Sequence, residues 1–337
     1  MLNIALDAMG GDFAPAHPVH GACLAVQKRD DIHIILTGDK DAIERELFKH
    51  GMQDHARLSV LPASQVIEMA ESPAVAFRKK KDSSIHVGLN AVKDQYVDGF
   101  MSAGNTGAVM AAATFILGRI DQIERPAIAG VVPTKKNPMV LLDMGSNVDC
   151  KPSHLHQFAI MGSHFAQDVL DIPSPKVALF NIGEEDDKGN QLTQAVFPLL
   201  KEEKEITFIG NVEGKNLMDG HCDVVVCDGF VGNSLLKFGE GVVQIFFNFF
   251  KQEWKRSLRS KLALILLAPA LEWLKKHYDY DETGGAPLLG VNGVAFISHG
   301  SSSAYAIQNG LLNVAHAIES DMVGKIAKAV AKPEAVA

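Results

Sequence analysis

Gly99-Phe100-Met101-Ser102-Ala103-Gly104-Asn105-Thr106-Gly107 runs from a short apolar segment, through a turn of small and polar residues, into the alanine-rich stretch Thr106–Leu117. The apolar run reads as a strand and the alanine-rich stretch as a helix. The turn between them then lies at the carboxyl end of a strand in an open α/β sheet, where ligands bind. Glycine lets backbone N–H groups approach a ligand closely, and the N-terminus of the following helix favours an anion. The habit recurs in both directions. Ile4-Ala5-Leu6 enters Asp7-Ala8-Met9-Gly10-Gly11-Asp12, and Met139 to Leu142 enters Asp143-Met144-Gly145-Ser146-Asn147. Ile206 to Ile209 enters Gly210-Asn211-Val212-Glu213-Gly214, and Val224 to Val226 precedes Asp228-Gly229-Phe230-Val231-Gly232-Asn233. A chain that repeats this turn so often is built around an anion, phosphate above all.

Further apolar runs fill out the pattern: Ile32–Leu36, Leu58–Leu61, Ile128–Val132, Val177–Phe180 and Val294–Ile297. None alternates with polar residues, so the strands are covered on both faces. Helical stretches lie between them at Asp41–His50, Ser84–Asp94, Ser153–Leu170 and Ser302–Ile318. Strand–helix alternation predicts an α/β fold on a mainly parallel sheet, with residues 1–330 as one domain.

The segment from Gly232 to Tyr280 breaks this rhythm. Asn233 to Arg256 reads as one long helix, apolar on more than one face through Val242, Val243, Ile245, Phe246, Phe247, Phe249 and Phe250. The apolar run Leu262 to Leu271 follows, flanked by Lys255, Arg256, Arg259, Lys261, Lys275 and Lys276, with Trp273 beside the last two. The first helix is expected to form a dimer interface. The run after it admits a pair of readings: burial in a core or dimer, or a greasy tip dipping into an anionic membrane surface.

With 337 residues, 47% of them hydrophobic and 21% charged, the chain has the composition of an ordinary soluble enzyme. A net charge of −8 argues against general nucleic-acid binding. Cys23, Cys150, Cys222 and Cys227 show no CxxC spacing and read as reduced, buried thiols. Three residues precede the first apolar run, too few for a signal peptide, and no segment nears the ~20 apolar residues of a membrane span. The expectation is a cytoplasmic protein. The tail Lys332 to Ala337 is expected to fray.

Several motifs are excluded. Gly210 to Asn216 fails as a phosphate-binding P-loop: the glycines are too close, and Asn216 stands where a Ser or Thr would hold Mg²⁺. No GxGxxG follows a strand, and neither GxSxG nor HExxH occurs. The pairs His17/His20 and His154/His156 lack further ligands at useful spacing, so no metal is expected. Three candidates remain. Ser102 to Gly107 offers N–H groups and hydroxyls to an oxyanion, or is a plain tight turn. Gly183 to Asn190 sets Lys188 among four carboxylates, either an exposed acidic loop or a lysine held by carboxylates and aimed at substrate. Asn233 stands at the first turn of the long helix, as an N-cap or a site residue. Arg78-Lys79-Lys80-Lys81 precedes Asp82-Ser83-Ser84, which reads as a helix N-cap region.

In order and spacing, the turns at Asp7–Asp12, Ser102–Gly107, Asp143–Asn147, Gly183–Asn190, Gly210–Gly214 and Asp228–Asn233, with Gly284–Gly290 and His299-Gly300, resemble the bacterial phosphate acyltransferase family PlsX across about residues 1 to 320. The resemblance implies a three-layer α/β/α Rossmann-like fold akin to isopropylmalate dehydrogenases and phosphotransacetylases, with a protruding helical hairpin over residues 232–280. It implies a homodimer that transfers a fatty acyl group from acyl carrier protein (ACP) to inorganic phosphate. The acyl phosphate would feed a membrane glycerol-3-phosphate acyltransferase; the protein itself is expected in the cytoplasm, peripheral on the inner face of the cytoplasmic membrane if residues 257–276 contact lipid rather than pack in the dimer. Carried over residue by residue, Lys188 and Asn233 take catalytic positions. Asp7, Gly10, Gly11, Ser102, Gly104, Asn105, Thr106, Asn147, Asn211 and His299 take positions toward phosphate or acyl phosphate, and no cofactor is implied. Ile297 and Ser298 stand where many relatives carry a lysine, so no cation is expected there. His299 is left as a site residue or a helix cap.

The chemistry suits what the chain lacks. Phosphate near neutral pH is substantially dianionic, with a second ionisation near ~6, and already nucleophilic. A thiolate with a parent pKa of about 8.5 leaves readily. Positioning and charge neutralisation suffice, with no covalent intermediate. An acidic carrier needs a basic dock, either Arg78 to Lys81 or Lys255, Arg256 and Arg259. The rivals are a phosphotransacetylase using acyl-CoA, a decarboxylating NAD-dependent dehydrogenase, for which no metal-binding aspartate cluster is found, and a non-catalytic membrane-peripheral scaffold.

Overall fold

The computed structural model describes residues 1–278 and 283–331, with the helical backbone alone for residues 272–278. The side chains of Trp273, Lys275 and Lys276, residue Tyr280 and the tail 332–337 therefore lie outside the described residues.

The strands form two sheets. The first runs β3 (Leu58–Pro62), β2 (Ile32–Gly38), β1 (Leu2–Asp7), β4 (Gly99–Ser102), β12 (Val294–Ile297), β11 (Ala286–Leu289) and β5 (Ala127–Ile128). It is parallel from β3 to β12, and β11 is antiparallel to both neighbours. The second runs β6 (Gly130–Val132), β7 (Met139–Leu142), β10 (Val224–Val226), β8 (Lys176–Phe180) and β9 (Thr207–Val212). All its pairs are parallel except β6 with β7.

Burial on both faces explains why these strands lack alternation. On β1, Ile4 and Leu6 join a core with Val19, Ala22 and Val26 of α1 (Ala16–Lys28) and Ile307, Leu311 and Val314 of α10 (Ala304–Glu319). Ala5 faces the other way, toward Ile85 and Leu89 of α4 (Ser84–Lys93) and Ala108 and Ala112 of α5 (Thr106–Ile116). The first of these cores continues into the second sheet, where Val140, Val177 and Val224 meet Leu155, Phe158 and Ala159 of α6 (Pro152–Asp168).

Four features differ from the expectation. The run Ile128–Val132 is split: Ala127–Ile128 closes the first sheet, Gly130–Val132 opens the second, and the chain passes between them at Ala129. One strand, β11, lies within Gly284–Gly290, where glycines and Pro287 read as a turn. Pro287 has no N–H to give the ladder, but its carbonyl takes part, accepting from Ala129 N at 3.0 Å. β9 does not stop at Ile209 but passes through Gly210, at φ +102°, to Val212, and its ladder with β8 shifts register there. Finally, α8 (Gly229–Arg256) begins four residues before Asn233. Asp228 is its N-cap, accepting from Val231 N at 2.9 Å, so Asn233 is no cap.

α8 and α9 (Leu258–Tyr278) form a hairpin whose first turn, at the start of α8, packs against β7 of the second sheet, while the rest is largely exposed. Within α8 only Gly229 and Gly232 are buried. None of the helices among the described residues is long and apolar enough to cross a membrane.

Candidate active site at the strand ends

The candidate residues gather in three groups at the carboxyl ends of the strands. The first is organised by Asp7, which is 1% exposed at the end of β1. Its Oδ2 accepts from Ser102 Oγ at 2.6 Å and its Oδ1 from Met9 N at 3.0 Å, and Ser102 Oγ in turn accepts from Gly104 N at 3.0 Å. One carboxylate thus sets the course of two glycine turns. Gly10 has to be glycine, since a Cβ there would come within 2.5 Å of Asp7 Oδ2 and 2.6 Å of Gly104 N. Gly11 and Asp12 meet the third turn of this group, where Asp12 N donates to Gly300 O at 2.8 Å. Burial pushes the Asp7 carboxyl above its ordinary range, against the pull of the groups that donate to it.

In this first group Asn105 is wholly engaged. Its Oδ1 caps α5 by accepting from Ala108 N at 3.0 Å, and its Nδ2 donates to Met69 O at 2.9 Å and Glu71 O at 3.0 Å. Thr106 is exposed at the first position of α5. His299 is exposed; its Nδ1 lies 3.2 Å from Ser301 N and 2.7 Å from Ser301 Oγ. It does not cap α10, whose N-cap is Ser303, accepting from Ala306 N. Ser298, where no cation is expected, is buried and bonded to Gly284 O and Ser302 Oγ, each at 2.7 Å.

The second group repeats the device on the second sheet. Asp143, fully buried at the end of β7, accepts from Ser146 N at 3.0 Å, Asn147 N at 2.6 Å and Asn147 Nδ2 at 3.0 Å. Burial raises its pKa as well. Asn147 Nδ2 also donates to Pro126 O at 2.8 Å, so that amide is spent within the turn. Gly229 and Gly232 let α8 start against this turn: a Cβ on Gly232 would run into Asp143 O. Asn233 stands beside Gly145, its Cβ 3.3 Å from where a Gly145 Cβ would be. The second group is tied to the first sheet through Ile128, whose N donates to Ser146 Oγ at 2.9 Å while the residue pairs with Leu288.

The third group is the loop after β8. Asn181 Nδ2 donates to Lys188 O at 3.0 Å, and Asn211 Nδ2 to Glu185 O at 2.7 Å. Asn211 Oδ1 is buried without a partner. Of the two readings of Gly183 to Asn190, the exposed acidic loop is the one this geometry matches. Asp186 pairs with Lys201 and Glu213 with Lys215, while the exposed Lys188 ammonium has no partner among the described residues. Val231 and Leu235, on either side of Asn233, pack against the same small core as Phe180 just before this loop.

No hydrogen bond or ion pair among the described residues joins one group to another. The candidates divide by whether their polar groups are spent. Asp7, Ser102, Asn105 and Asn147 are consumed in holding turns. Among the described residues, the Lys188 ammonium and the Asn233 amide make no hydrogen bond or ion pair, and His299 makes contacts through Nδ1 alone. Sequence reasoning passes over Asp143, which braces the second turn; its signal is the same Asp-then-Gly pattern that Asp7 carries. No three His, Cys, Asp or Glu side chains among the described residues gather to hold a metal ion. A shallow 520 Å³ hollow lies on α2 (Lys40–Lys49) between Asp41, Glu44, Arg45, Phe48 and Lys49; it is one face of one helix and includes none of the candidate residues.

The fold is that of the phosphotransacylases. It is similar to a phosphotransacetylase from Streptococcus pyogenes, with a TM-score of 0.62, 16% identity and 94% of each chain covered. It is also similar to a branched-chain phosphotransacylase from Enterococcus faecalis, with a TM-score of 0.53, 13% identity, and 94% of this chain and 99% of that one covered. These likenesses are of fold. Sequence is more specific: residues 2–325 match the family described as "Fatty acid synthesis protein". Relatives called phosphate acyltransferase are 47% identical in Halothermothrix orenii, over 98% of this chain and 99% of that one, and 49% in Heliobacterium modesticaldum, over 96% of each. The chain belongs to this phosphate acyltransferase (PlsX) family.

Proposed function

We propose that this protein transfers a fatty acyl group from the thioester of acyl carrier protein to inorganic phosphate, giving an acyl phosphate for phospholipid synthesis. Acyl transfer to phosphate follows from the family; the donor and the residue roles are inferred. A phosphate oxygen attacks the thioester carbonyl, the carbon–sulfur bond breaks and the thiol leaves with a proton. Lys188 neutralises phosphate, the first amides of α5 and the Thr106 hydroxyl orient it, and Asn233 donates to the thioester oxygen as charge builds there. The observation that carries this assignment is the division between spent and free donors: among the described residues, the side chains of Lys188 and Asn233 have no hydrogen-bond or ion-pair partner.

Hydroxylamine trapping of acyl phosphate with acyl-ACP, acyl-CoA or no donor tests the reaction. Product from acyl-ACP alone supports it, product from acyl-CoA supports a phosphotransacetylase, and no product supports a scaffold. Lys188→Ala and Asn233→Ala are each expected to lower kcat about a hundredfold, near 3 kcal/mol, with unchanged unfolding. Near-normal turnover removes that residue from the scheme.

The hairpin is inferred to join two copies through α8 and to meet a membrane surface through residues 257–276. The support is exposed apolar surface: Phe238, Val242, Ile245, Phe246 and Phe249 on α8, and Leu262, Ile265, Leu266 and Leu267 on α9. Leu266→Glu is expected to release the protein from anionic vesicles and leave turnover in solution intact. A variant that unfolds or turns monomeric instead assigns α9 to packing.

A further inference from the structure

Two basic clusters on this acidic chain compete as the dock for a carrier protein, and the structure separates them by distance and by what surrounds them. One lies on α3 (Pro73–Lys79) and the residues just after it. Arg78, Lys79 and Lys81 are exposed, and none makes an ion pair or side-chain hydrogen bond with a described residue. Lys81 lies 4.0 Å over the Phe77 ring, which stacks on Phe115 with centroids 5.3 Å apart. Phe115 is 72% exposed and Val75 48%, so the free cations border apolar surface. A rim of cations around exposed aromatic and aliphatic groups suits an acidic helical partner better than a purely solvated face.

The fourth cation of the run behaves differently. Lys80 turns inward, pairing with Glu71 and donating to Val66 O at 2.6 Å. The same segment gives its Met69 and Glu71 carbonyls to Asn105, the cap of α5. The start of α3 also touches α5 directly, since a Cβ on Gly107 would lie 2.6 Å from Pro73 Cγ. The basic face is thus bolted to the N-terminus of the helix that offers its amides to phosphate. From Pro73 to Lys79 is about 9 Å at 1.5 Å per residue.

The other cluster, Lys255, Arg256 and Arg259 with Lys251 and Lys261 nearby, sits at the far end of the hairpin, where Arg256 pairs with Glu253. Lys255 is 22 residues beyond Asn233 on α8, about 33 Å along the helix. A pantetheine arm is about as long as five extended residues, roughly 17 Å. A carrier seated on the hairpin end would leave its thioester well short of Asn233 on the same chain.

We propose that the face formed by Arg78, Lys79 and Lys81 with Val75 and Phe115 is the docking surface for the acidic carrier protein that presents the acyl thioester. The proposal rests on the carrier-dependent reading above. It is tested with Arg78→Glu/Lys79→Glu, set against Lys251→Glu/Lys255→Glu as the control. Acyl-ACP binding is measured by direct titration, and KM for acyl-ACP and for phosphate by trapping.

The α3 variant is expected to bind acyl-ACP about tenfold or more weakly, with KM for acyl-ACP rising to match. Its KM for phosphate and its unfolding midpoint should stay unchanged, and its affinity should depend less on salt. The hairpin variant should bind normally. An α3 variant that binds like the wild type overturns the proposal, and so does a hairpin variant that carries the loss instead. A wild-type protein that makes no acyl phosphate from acyl-ACP sinks the underlying reading, whereas normal wild-type turnover with an unaffected α3 variant sinks the docking face alone.

Discussion

The strand-end turns and the α8–α9 hairpin invert the usual distribution of polar and apolar groups in opposite directions. At the turns, polarity is inside: Asp7 and Asp143 are at most 1% exposed, and Ser102 is fully buried. In the hairpin, apolar bulk is outside: Phe238 is 73% exposed, Ile245 72% and Leu266 77%. Each is the informative exception to the rule that apolar groups go in and polar groups stay out. The difference lies in where each region finds its partners. The Asp7 and Asp143 turns are complete within the chain, because amides and hydroxyls meet both buried carboxyl groups. The hairpin buries little by itself and leaves its apolar face without a partner among the described residues.

The largest expected effect tests the completeness of the turns. A Cβ on Gly232 would collide with the backbone carbonyl of Asp143, and the start of α8 is tied to that turn by Gly229 N, which donates to Asn147 O at 2.7 Å. Gly232→Ala is expected to destabilise the fold by about 3 kcal/mol, the upper range for overpacking, read from urea or thermal unfolding. A variant within ~0.5 kcal/mol of wild type would mean that the turn yields, and the contrast with the hairpin would lose its basis.

Those same glycines show where the sequence stops being legible. The strands can be read because chains buried on both faces carry long apolar runs, as Met139–Leu142 and Val224–Val226 do. Gly229 and Gly232 read as turn residues, yet they are helical and serve close approach. Nothing within the 228–233 segment announces that the 143–147 turn will lie against it. Ser102 and Asn105 are legible as polar residues at a strand end. Their partners, Asp7 and the carbonyls of Met69 and Glu71, are distant in the chain. At Lys188 the sequence leaves two readings open, since four carboxylates are its near neighbours in the chain; the loop sends Asp186 to Lys201, and the ammonium has no partner among the described residues.

The next prediction sharpens what completeness means for a buried charge. Burial raises the Asp7 pKa above its ordinary value of 3.8, so the folded state holds this proton more tightly than the unfolded state does. The stability tied to it is fully present below the ordinary carboxylate range and is lost as pH rises through the raised folded value. Between those limits the loss runs at up to about 1.4 kcal/mol per pH unit. Asp7→Asn carries no such proton. The stability of the variant minus that of the wild type should therefore grow as pH rises from about 4. A flat or falling difference would show that hydrogen bonds to Asp7 outweigh its burial.

The smallest expected effect separates the two ends of one helix. Gly239 and Gly241 share α8 with Gly232, yet a Cβ on either meets no other atom within 4 Å. In an isolated chain a mid-helix glycine costs about 0.5–1 kcal/mol relative to alanine, so Gly239→Ala should stabilise the monomer by about that amount. If a second copy packs against this stretch of α8, the added methyl meets it, and the same substitution should weaken association. Unfolding of dilute protein and sedimentation at rising concentration read the two effects independently. A gain in stability with weaker association identifies the open face as an interface completed by another chain. A gain with unchanged association, or with no association at any concentration, leaves Gly239 on a free surface.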